Sequence, residues 1–471
     1  MDKHLVSEGM FGFDTWPWQQ WAAMAPNAKA IDGDTPLTWG ELTALVDGQQ
    51  ARLGEAPIVV LDSALSQRAL IVGMLAAWQA GKKTLVLNQA LSDEVQATVL
   101  SQLGVYQFLP DRSREPDVNV LPTMSHWQPD RPLTLTLTSG STGTPKVIAH
   151  AAHQHLASAA GLTQMLPFLG LADKMTSLEN RVDRWLLSLP LFHISGLAIV
   201  WRWLYKGAQL AIYPCSGESM ASALTHVSHA SLVPTQLYRV LPSLRQCLDT
   251  CTLSHVLLGG AAISSALTEQ AEQQGISCWC GYGMTETAST VTLKRADGQD
   301  DVGTTLPYRD LMVADDGEVI HRGETLALGV WQAGALHPID ASTGLASRDL
   351  ASWCTDVQPP TLRIIGRKDN QFICGGENVQ PEVIEAHLQQ CADIRQAMVV
   401  PIDDREFGAR PLAIIQSRGH LNAQQLADYC RRLPAYQRPV AFLPWPSLSP
   451  EAGIKPSRAL LTQWAQRQVI D

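Results

Sequence analysis

The sequence predicts an α/β protein, with a large N-terminal domain built on a largely parallel sheet and a small α+β domain after it. Three observations carry this reading. Short apolar runs that look like strands alternate with helical patterns along most of the 471 residues. One such strand runs into a loop dense in Gly, Ser and Thr, the arrangement with which α/β proteins cradle phosphate. The character of the chain changes near residue 366, where the strand-like LRII meets the charged turn Gly366-Arg367-Lys368-Asp369-Asn370.

The elements follow in order. Trp16, Trp18 and Trp21 suit a helix packed on the domain by an aromatic face, rather than an interfacial anchor. Ala56 to Asp62 reads as a buried strand, Ala69 to Ala80 as a helix and Lys83 to Leu87 as the next strand. Leu133, Leu135 and Leu137 alternate with Thr134, Thr136 and Thr138, the period of two that marks a strand. Trp185 to Leu189, Gln209 to Tyr213 and Ser254 to Leu258 look like further strands. Beyond the change of character, Pro381 followed by Glu382 and Glu385 opens a helix well. Ala397 to Pro401 and Leu412 to Gln416 read as strands, and a helix is expected around Ala423 to Leu433. The domain boundary is placed at Arg367 to Asn370.

Composition narrows the function. A formal net charge of -10 disfavours nucleic acid as a partner, because phosphate contacts along a strand need a surplus of Lys and Arg. A single nucleotide remains compatible, since a local loop can bind it against the global field. The nine cysteines form no CxxC pair: Cys278 and Cys280 are one residue apart, Cys247 and Cys251 three. That usage suits reduced thiols and a cytoplasmic location. The N-terminus has neither the apolar core nor the cleavage site of a signal peptide, and no run of about 18 apolar residues predicts a membrane span.

The stretch TLTSGSTGTPK, Thr136 to Lys146, carries the most chemistry. Thr138, Ser139, Ser141 and Thr142 supply hydroxyls, Gly140 and Gly143 let the backbone approach a ligand, and Lys146 adds a cation. It is not the Walker loop: Pro145 stands where the second glycine belongs, and Val147 where the magnesium-binding hydroxyl belongs. Four more stretches join it. They are LSLPLFHISG with His193, SHVLLGGAAI with Gly259 and Gly260, GYGMTETAST with Tyr282, Thr285 and Glu286, and GIKPSRALL with Lys455. Taken singly, each has a plain structural reading. His193 is a packed or solvated histidine, Gly259-Gly260 a strand end, Thr285 a helix N-cap and Lys455 a surface lysine.

Taken together, in this order and spacing, they identify a resemblance to the adenylate-forming superfamily of acyl- and aryl-CoA synthetases, luciferases and peptide-synthetase adenylation domains. It covers nearly the whole chain, from LTWGEL (Leu37 to Leu42) to Lys455. The resemblance implies a large adenylate-forming domain over 1–366 holding ATP and the acyl pocket. It further implies a hinge over 367–370 and a small mobile domain over 371–471 carrying the catalytic lysine. It implies ATP, Mg2+ and coenzyme A as cofactor and co-substrates. Thr138 to Lys146 would be the loop over the β- and γ-phosphates. Lys455, Thr285, Glu286 and His193 would be catalytic, with Glu286 the magnesium carboxylate and Thr285 on the α-phosphate. Gly260, Ala261, Gly281, Tyr282 and Gly283 would face the nucleotide. Asp349 would hold the ribose hydroxyls, joined by Arg367. Asp369 would be the hinge residue, and Gly375 and Gly376 would line the coenzyme A tunnel. Two departures stand out: Arg348 replaces the usual glycine before the ribose aspartate, and Ile454 separates Gly453 from Lys455.

The stretch Trp185 to Ala208, with ASLVPTQLYR (Ala230 to Arg239), LLGGAAI, DREFG (Asp404 to Gly408) and GIKPSR, is similar to one branch in particular, the bacterial 2-succinylbenzoate–CoA ligases of menaquinone biosynthesis. That substrate carries two carboxylates. One is adenylated, and the other needs a cation or several donors in its pocket. Arg202, in Trp201-Arg202-Trp203, is the candidate for it; its plain reading is a guanidinium on a helix surface. Ser195, Thr235, Gln236, Gly259 and Ala262 complete the expected acyl pocket beside His193. The partners expected are the small-molecule substrates, with no nucleic acid and no membrane span, and a homodimer is left open. Another CoA ligase for benzoate or a fatty acid would share every ATP residue. A carrier-loading adenylation domain, a luciferase-like oxygenase and a non-catalytic nucleotide sensor are the other readings.

Overall fold

The computed structural model describes residues 11–110, 126–138, 145–174, 182–215, 217, 219–247, 250–261, 263–391, 393–417, 419, 421–446 and 458–469. Two compact units divide it. The first takes in residues up to Leu311 together with His321–Leu345, the second Met312–Ile320 together with Ala346 onward. Contacts thus group the segment ahead of the expected hinge with the C-terminal residues.

The first unit contains two large sheets. In a nine-stranded one, six strands run parallel in the order Ser277–Met284, His255–Leu258, His229–Leu232, Arg184–Leu186, Gln209–Ile212 and Lys29–Gly33. Antiparallel strands Ser289–Arg295, Thr304–Thr305 and Leu37–Thr38 close its edges. A seven-stranded sheet places Gln107–Phe108, Ile58–Asp62, Lys83–Leu87 and Pro132–Thr138 in parallel. Lys146–Ala151 then returns antiparallel to Pro132–Thr138, with Gly329–Gln332 and Ala335–Pro338 beyond it. The central parallel strands Ile58–Asp62, Lys83–Leu87 and His255–Leu258 are mostly apolar, as sheets covered on both faces require, while Thr134, Thr136 and His229 are buried polar residues on their neighbours.

The expected elements are present with adjusted ends. Lys83–Leu87 is a strand as read, and the helix expected at Ala69 to Ala80 spans Gln67–Gln79, capped by Ser66. The strand expected over Trp185 to Leu189 is shorter, Arg184–Leu186. Pro190 has no N–H for a ladder, and the Ser188 hydroxyl is turned to the Ser231 carbonyl at 2.5 Å. The helix expected over Ala423 to Leu433 spans Ala423–Tyr429 and tightens into a 3₁₀ turn, Cys430–Arg432, before Pro434.

The core of this unit is built on tryptophan. Trp18 and Trp21 are buried on the helix Pro17–Met24, which packs by its aromatic face. Helix Ile194–Lys206 is buried continuously from Gly196 to Leu204. Trp201 stacks on Trp78 (5.1 Å between ring centroids) and on His155 (5.0 Å), and Trp203 stacks on Trp39 (5.1 Å). Such stacks add about 1 kcal/mol each beyond the area they bury. All nine cysteines are free, and burial pushes the Cys278 thiol to about 12 and Cys280 to about 11, away from thiolate chemistry. Among the described residues no helix is long and apolar enough to cross a membrane.

The second unit has its own sheet, in the order Glu377–Val379, Phe372–Cys374, Gly408–Ser417 and Ile394–Asp404, with Ala441–Pro444 parallel to Gly408–Ser417. Helix Pro381–Gln389 covers one face, its proline at the first turn and Glu382 beside it. Ile384 and Leu388 of that helix meet Val399, Ala413 and Ile415 of the sheet.

Three buried histidines make stability depend on pH. Burial lowers His150 to about 3, His321 to about 4 and His155 well below 6.5. A depressed folded-state value leaves stability intact above the unfolded value near 6.5 and removes it as pH falls toward the folded one. We expect a loss of roughly 2 kcal/mol per fully buried histidine at about pH 5 relative to neutrality. Denaturant titrations across that range check it, and a His150→Gln variant should flatten the slope.

Candidate functional site

Many of the expected site residues of the first unit follow the carboxyl ends of four neighbouring parallel strands of the nine-stranded sheet, where open α/β sheets bind ligands. Arg184–Leu186 leads through Leu187 to Phe192 into His193 and Ser195. His229–Leu232 leads to Thr235 and Gln236, and His255–Leu258 to Gly259, Gly260 and Ala261. Ser277–Met284 carries Gly281, Tyr282 and Gly283 and ends at Thr285 and Glu286. A cleft of about 280 Å³ lies beside the first of these ends, lined by Gln67, Leu70, Val86, Ser188, Leu191 and Phe192.

Local structure explains several positions. His193 is the N-cap residue of helix Ile194–Lys206 and is exposed, with its ring tilted on Phe192 at 4.7 Å. The Gln236 side chain accepts from the Val233 N–H (3.0 Å), which ties it to its own helix start, while Thr235 is exposed. The Tyr282 hydroxyl lies 3.3 Å from His321 Nε2, which sets the ring's tilt. A Cβ at Gly283 would overlap the Ser289 carbonyl oxygen, so the strand can pass its neighbour only as glycine.

Thr285 does not cap an α-helix. It begins a single 3₁₀ turn, Thr285–Thr287, between two antiparallel strands. The two residues after that turn are left-handed without being glycine: Ala288 at φ +50° and Ser289 at φ +93°. Each costs about 1–2 kcal/mol, and such backbone persists only where neighbours over-determine it. The neighbours are explicit. The Thr287 hydroxyl meets Met284 N and O (3.3 and 3.1 Å), the Ala327 N–H donates to the Glu286 carbonyl (2.8 Å), and Ser158 Oγ donates to the Ala288 carbonyl (2.6 Å).

Thr138 and Lys146 are register partners at the mouth of the hydroxyl-rich loop, one ending a strand and the other opening its antiparallel return. Lys146 is exposed there. Ser139, Gly140, Ser141, Thr142 and Gly143 lie outside the described residues, as do Ala262 and Lys455.

Arg202 is not on a surface. It is 2% exposed. Its guanidinium lies 4.9 Å over the Trp185 ring and donates to Ser231 Oγ at 3.4 Å. Among the described residues no carboxylate pairs with it. Burial lowers it to about 9, so it stays charged at neutral pH. A second buried cation, Arg309, went unnoticed in the sequence, where no motif marks it. Its lowering to about 9 comes from burial and then from the charge of Arg202. Unlike Arg202, it is saturated with acceptors.

Within the second unit, Arg367 joins two expected site residues. Its Nη1 donates to Asp349 at 3.0 Å, and its Nε and Nη2 form a fork on Asp369 at 2.9 and 3.0 Å. Burial works to raise the Asp369 carboxyl, but the Arg367 guanidinium outweighs it and holds the group below the usual carboxylate value. Asp349 is 8% exposed and receives its shape from Ser347, whose hydroxyl accepts the Asp349 N–H (3.0 Å). Gly375 and Gly376 form the two-residue connection between strands Phe372–Cys374 and Glu377–Val379, at φ +59° and +88°. Arg458, three positions beyond Lys455, pairs with Glu385 (2.6 Å) and Glu382 (3.2 Å), which anchors helix Arg458–Val469.

A single carboxylate, Glu286, at a strand end suits magnesium, which takes one or two carboxylates and otherwise phosphate oxygens and water. Among the described residues no group of three or more His, Cys, Asp or Glu side chains forms a metal cage.

Comparison with known proteins places this arrangement. A profile described as AMP-binding enzyme matches residues 67–335. The 2-succinylbenzoate–CoA ligase of Salmonella typhimurium is 38% identical over 96% of this chain and 98% of its own length. That of Escherichia coli is 37% identical over 97% and 99%. Among solved structures, an arginine-to-lysine variant of E. coli MenE with bound OSB-AMS superposes with a TM-score of 0.82 at 36% identity, covering 99% of this chain and all of that one. The Bacillus subtilis MenE in complex with ATP and magnesium ion has the same fold, with a TM-score of 0.80 at 23% identity over 95% of this chain and 99% of that one.

Arg348, which stands where a glycine was expected, adopts the left-handed conformation at φ +64° with an exposed side chain. Its backbone is held on both sides, by Glu318 on its N–H (2.9 Å) and by the Lys368 N–H on its carbonyl (2.7 Å). Relief of the strain by glycine is offset in part by glycine's greater entropy in the unfolded chain. We therefore expect Arg348→Gly to change stability by between 0 and about +1 kcal/mol in denaturant titrations. A net loss of stability would show the arginine side chain to be the holding group.

Proposed function

Since the chain belongs to the AMP-binding enzymes, and within them to the 2-succinylbenzoate–CoA ligases, we propose that it joins 2-succinylbenzoate to coenzyme A through an acyl-adenylate, releasing AMP and pyrophosphate, in menaquinone biosynthesis. The observation that carries the acid assignment is Arg202: a buried guanidinium over Trp185, with a single long hydrogen bond and no carboxylate partner among the described residues. A buried charge left without a counter-ion is costly. The ring carboxylate of 2-succinylbenzoate supplies that counter-ion, while its succinyl carboxylate is left to react.

The chemistry follows from what a carboxylate lacks. It is a poor electrophile, because its leaving group would be oxide. Attack by the carboxylate on the α-phosphorus of ATP forms the acyl-adenylate and expels pyrophosphate; coenzyme A thiolate then attacks the acyl carbon and AMP departs. The carboxylate is already ionised, so the first step needs no general base. Glu286 would hold magnesium, which screens the phosphate charge in that step. Thr285 donates to the α-phosphate, and Thr138 with Lys146 positions the loop over the outer phosphates. Lys455 stabilises charge on the reacting oxygens. Asp349, oriented by Ser347 and paired with Arg367, is suited to two ribose hydroxyls. His193 and Ser195, at the start of the buried helix, face the acyl group. Gly375 and Gly376 border the path of the thiol. The small domain turns about 367–370 between half-reactions, with Asp369 as the hinge. The enzyme works in the cytoplasm, where its free thiols persist.

Pyrophosphate release with ATP, magnesium and coenzyme A is expected with 2-succinylbenzoate and not with benzoate, a short fatty acid or no acid. Release with a simple acid instead would keep the mechanism and overturn the pathway. Arg202→Ala is expected to raise KM for 2-succinylbenzoate by about tenfold or more, since a paired buried charge is worth roughly 2–5 kcal/mol when one partner is removed. An unchanged KM would remove Arg202 from the acid pocket.

A further inference from the structure

Arg309 is buried, faces no carboxylate among the described residues, and yet leaves no donor idle. Its Nε and Nη2 both donate to the Thr290 carbonyl (3.1 and 2.8 Å). Nη2 also reaches Ser158 O and Oγ (3.2 and 3.0 Å), and Nη1 reaches Pro307 O and Ala157 O (2.7 and 3.4 Å). Ser158 passes the contact on, since its hydroxyl donates to the Ala288 carbonyl at 2.6 Å. The guanidinium and this hydroxyl therefore grip the backbone on both sides of Ser289. Ala288 and Ser289 are the two left-handed residues that immediately follow Thr285–Thr287. The neighbouring helix leaves room for this. Gly161 lies in the interior of helix Ala152–Met165, where alanine would ordinarily be favoured, and a Cβ there would overlap Arg309 Nη1 and lie 2.5 Å from the Pro307 carbonyl.

We propose that Arg309, acting through Ser158 and Thr290, is a positioning residue for the nucleotide, holding the strained Ala288–Ser289 backbone so that Thr285 and Glu286 are presented to magnesium and phosphate. The proposal rests on the roles given to Thr285 and Glu286 above. Arg309 touches no substrate. A planar group with five donors is what the task needs, because several carbonyls at fixed angles must be held at once. An ammonium, with three donors on one atom, cannot span them.

The test separates nucleotide binding from acid recognition, in the full chain. Binding of ATP with magnesium, measured by calorimetry without acid, is compared with KM for 2-succinylbenzoate at saturating ATP and with thermal melting. Gly161→Ala, which crowds both the guanidinium and the Pro307 carbonyl it holds without altering the charge of Arg309, and Arg309→Met should each weaken MgATP binding about ten- to a hundredfold. Ser158→Ala should do so more mildly. KM for the acid should stay within about twofold. Adding Ser289→Gly, which removes the need to hold a strained residue, should recover part of the loss in Gly161→Ala. Gly161→Ala should also melt lower than wild type, against the usual preference for alanine in a helix. MgATP affinity unchanged in a folded Gly161→Ala protein overturns the proposal, and so does a parallel rise in the nucleotide and acid constants. If Arg309→Met does not fold, Gly161→Ala and Ser158→Ala decide. Wild-type protein that binds no MgATP overturns both readings. Wild-type protein that binds MgATP but adenylates no 2-succinylbenzoate overturns only the acid assignment.

Discussion

The continuous burial of helix Ile194–Lys206 is the constraint on which the first unit depends. A helix with water on one side can slide or tilt at modest cost; one enclosed from Gly196 to Leu204 cannot. Trp201 lies between Trp78 and His155, and Trp203 is stacked on Trp39, so both the rotation and the height of the helix are set by aromatic planes. His193 and Ser195 sit at its start, and Arg202 lies between the two tryptophans. One packed element therefore fixes the positions of His193 and Ser195 at its start and of the buried Arg202 within it.

Two buried arginines illustrate how the same side chain takes different parts. The chain carries a net charge of -10, yet keeps both guanidiniums away from carboxylates among the described residues. Arg309 meets carbonyls and a hydroxyl in every direction and so acts on the backbone. Arg202 has an aromatic face beneath it and, among the described residues, one long bond to Ser231. Satisfaction of donors, more than burial or charge, separates these two guanidiniums, and it is the ground on which Arg202 is proposed to receive a ligand.

In the second unit, Arg367 connects the residue assigned to the ribose with the residue assigned to the hinge. A fork on Asp369 and a single bond to Asp349 from one guanidinium tie the two carboxylates to the same side chain. Arg458 does similar service for the last helix, with Glu385 and Glu382 as its partners.

Much of this protein was legible in its residues. Period-two leucines marked Pro132–Thr138, apolar runs marked Lys83–Leu87 and His255–Leu258, and Pro381 opened its helix, because strand and helix periods and the missing proline N–H are local properties. The hydroxyl- and glycine-rich loop and GYGMTE pointed to a nucleotide for the same reason: backbone freedom and side-chain chemistry are written residue by residue. Strand ends were less legible, as at Leu186, where Ser188 and Pro190 turn the chain toward a distant carbonyl. Burial of Arg202 ran against its plain surface reading, because only neighbours far along the chain, Trp185 and Ser231, enclose it. Arg309, Ser158 and Gly161 carried no signal at all. Their parts depend on bonds that span some 150 positions, and such contacts exist only after the sheet and its helices have packed. The sequence by itself determined which chemistry the chain could bring to a nucleotide and an acid; the tertiary structure alone decided which buried guanidinium meets acceptors on every side and which meets one hydroxyl and an aromatic face, because that depends on what surrounds each in space.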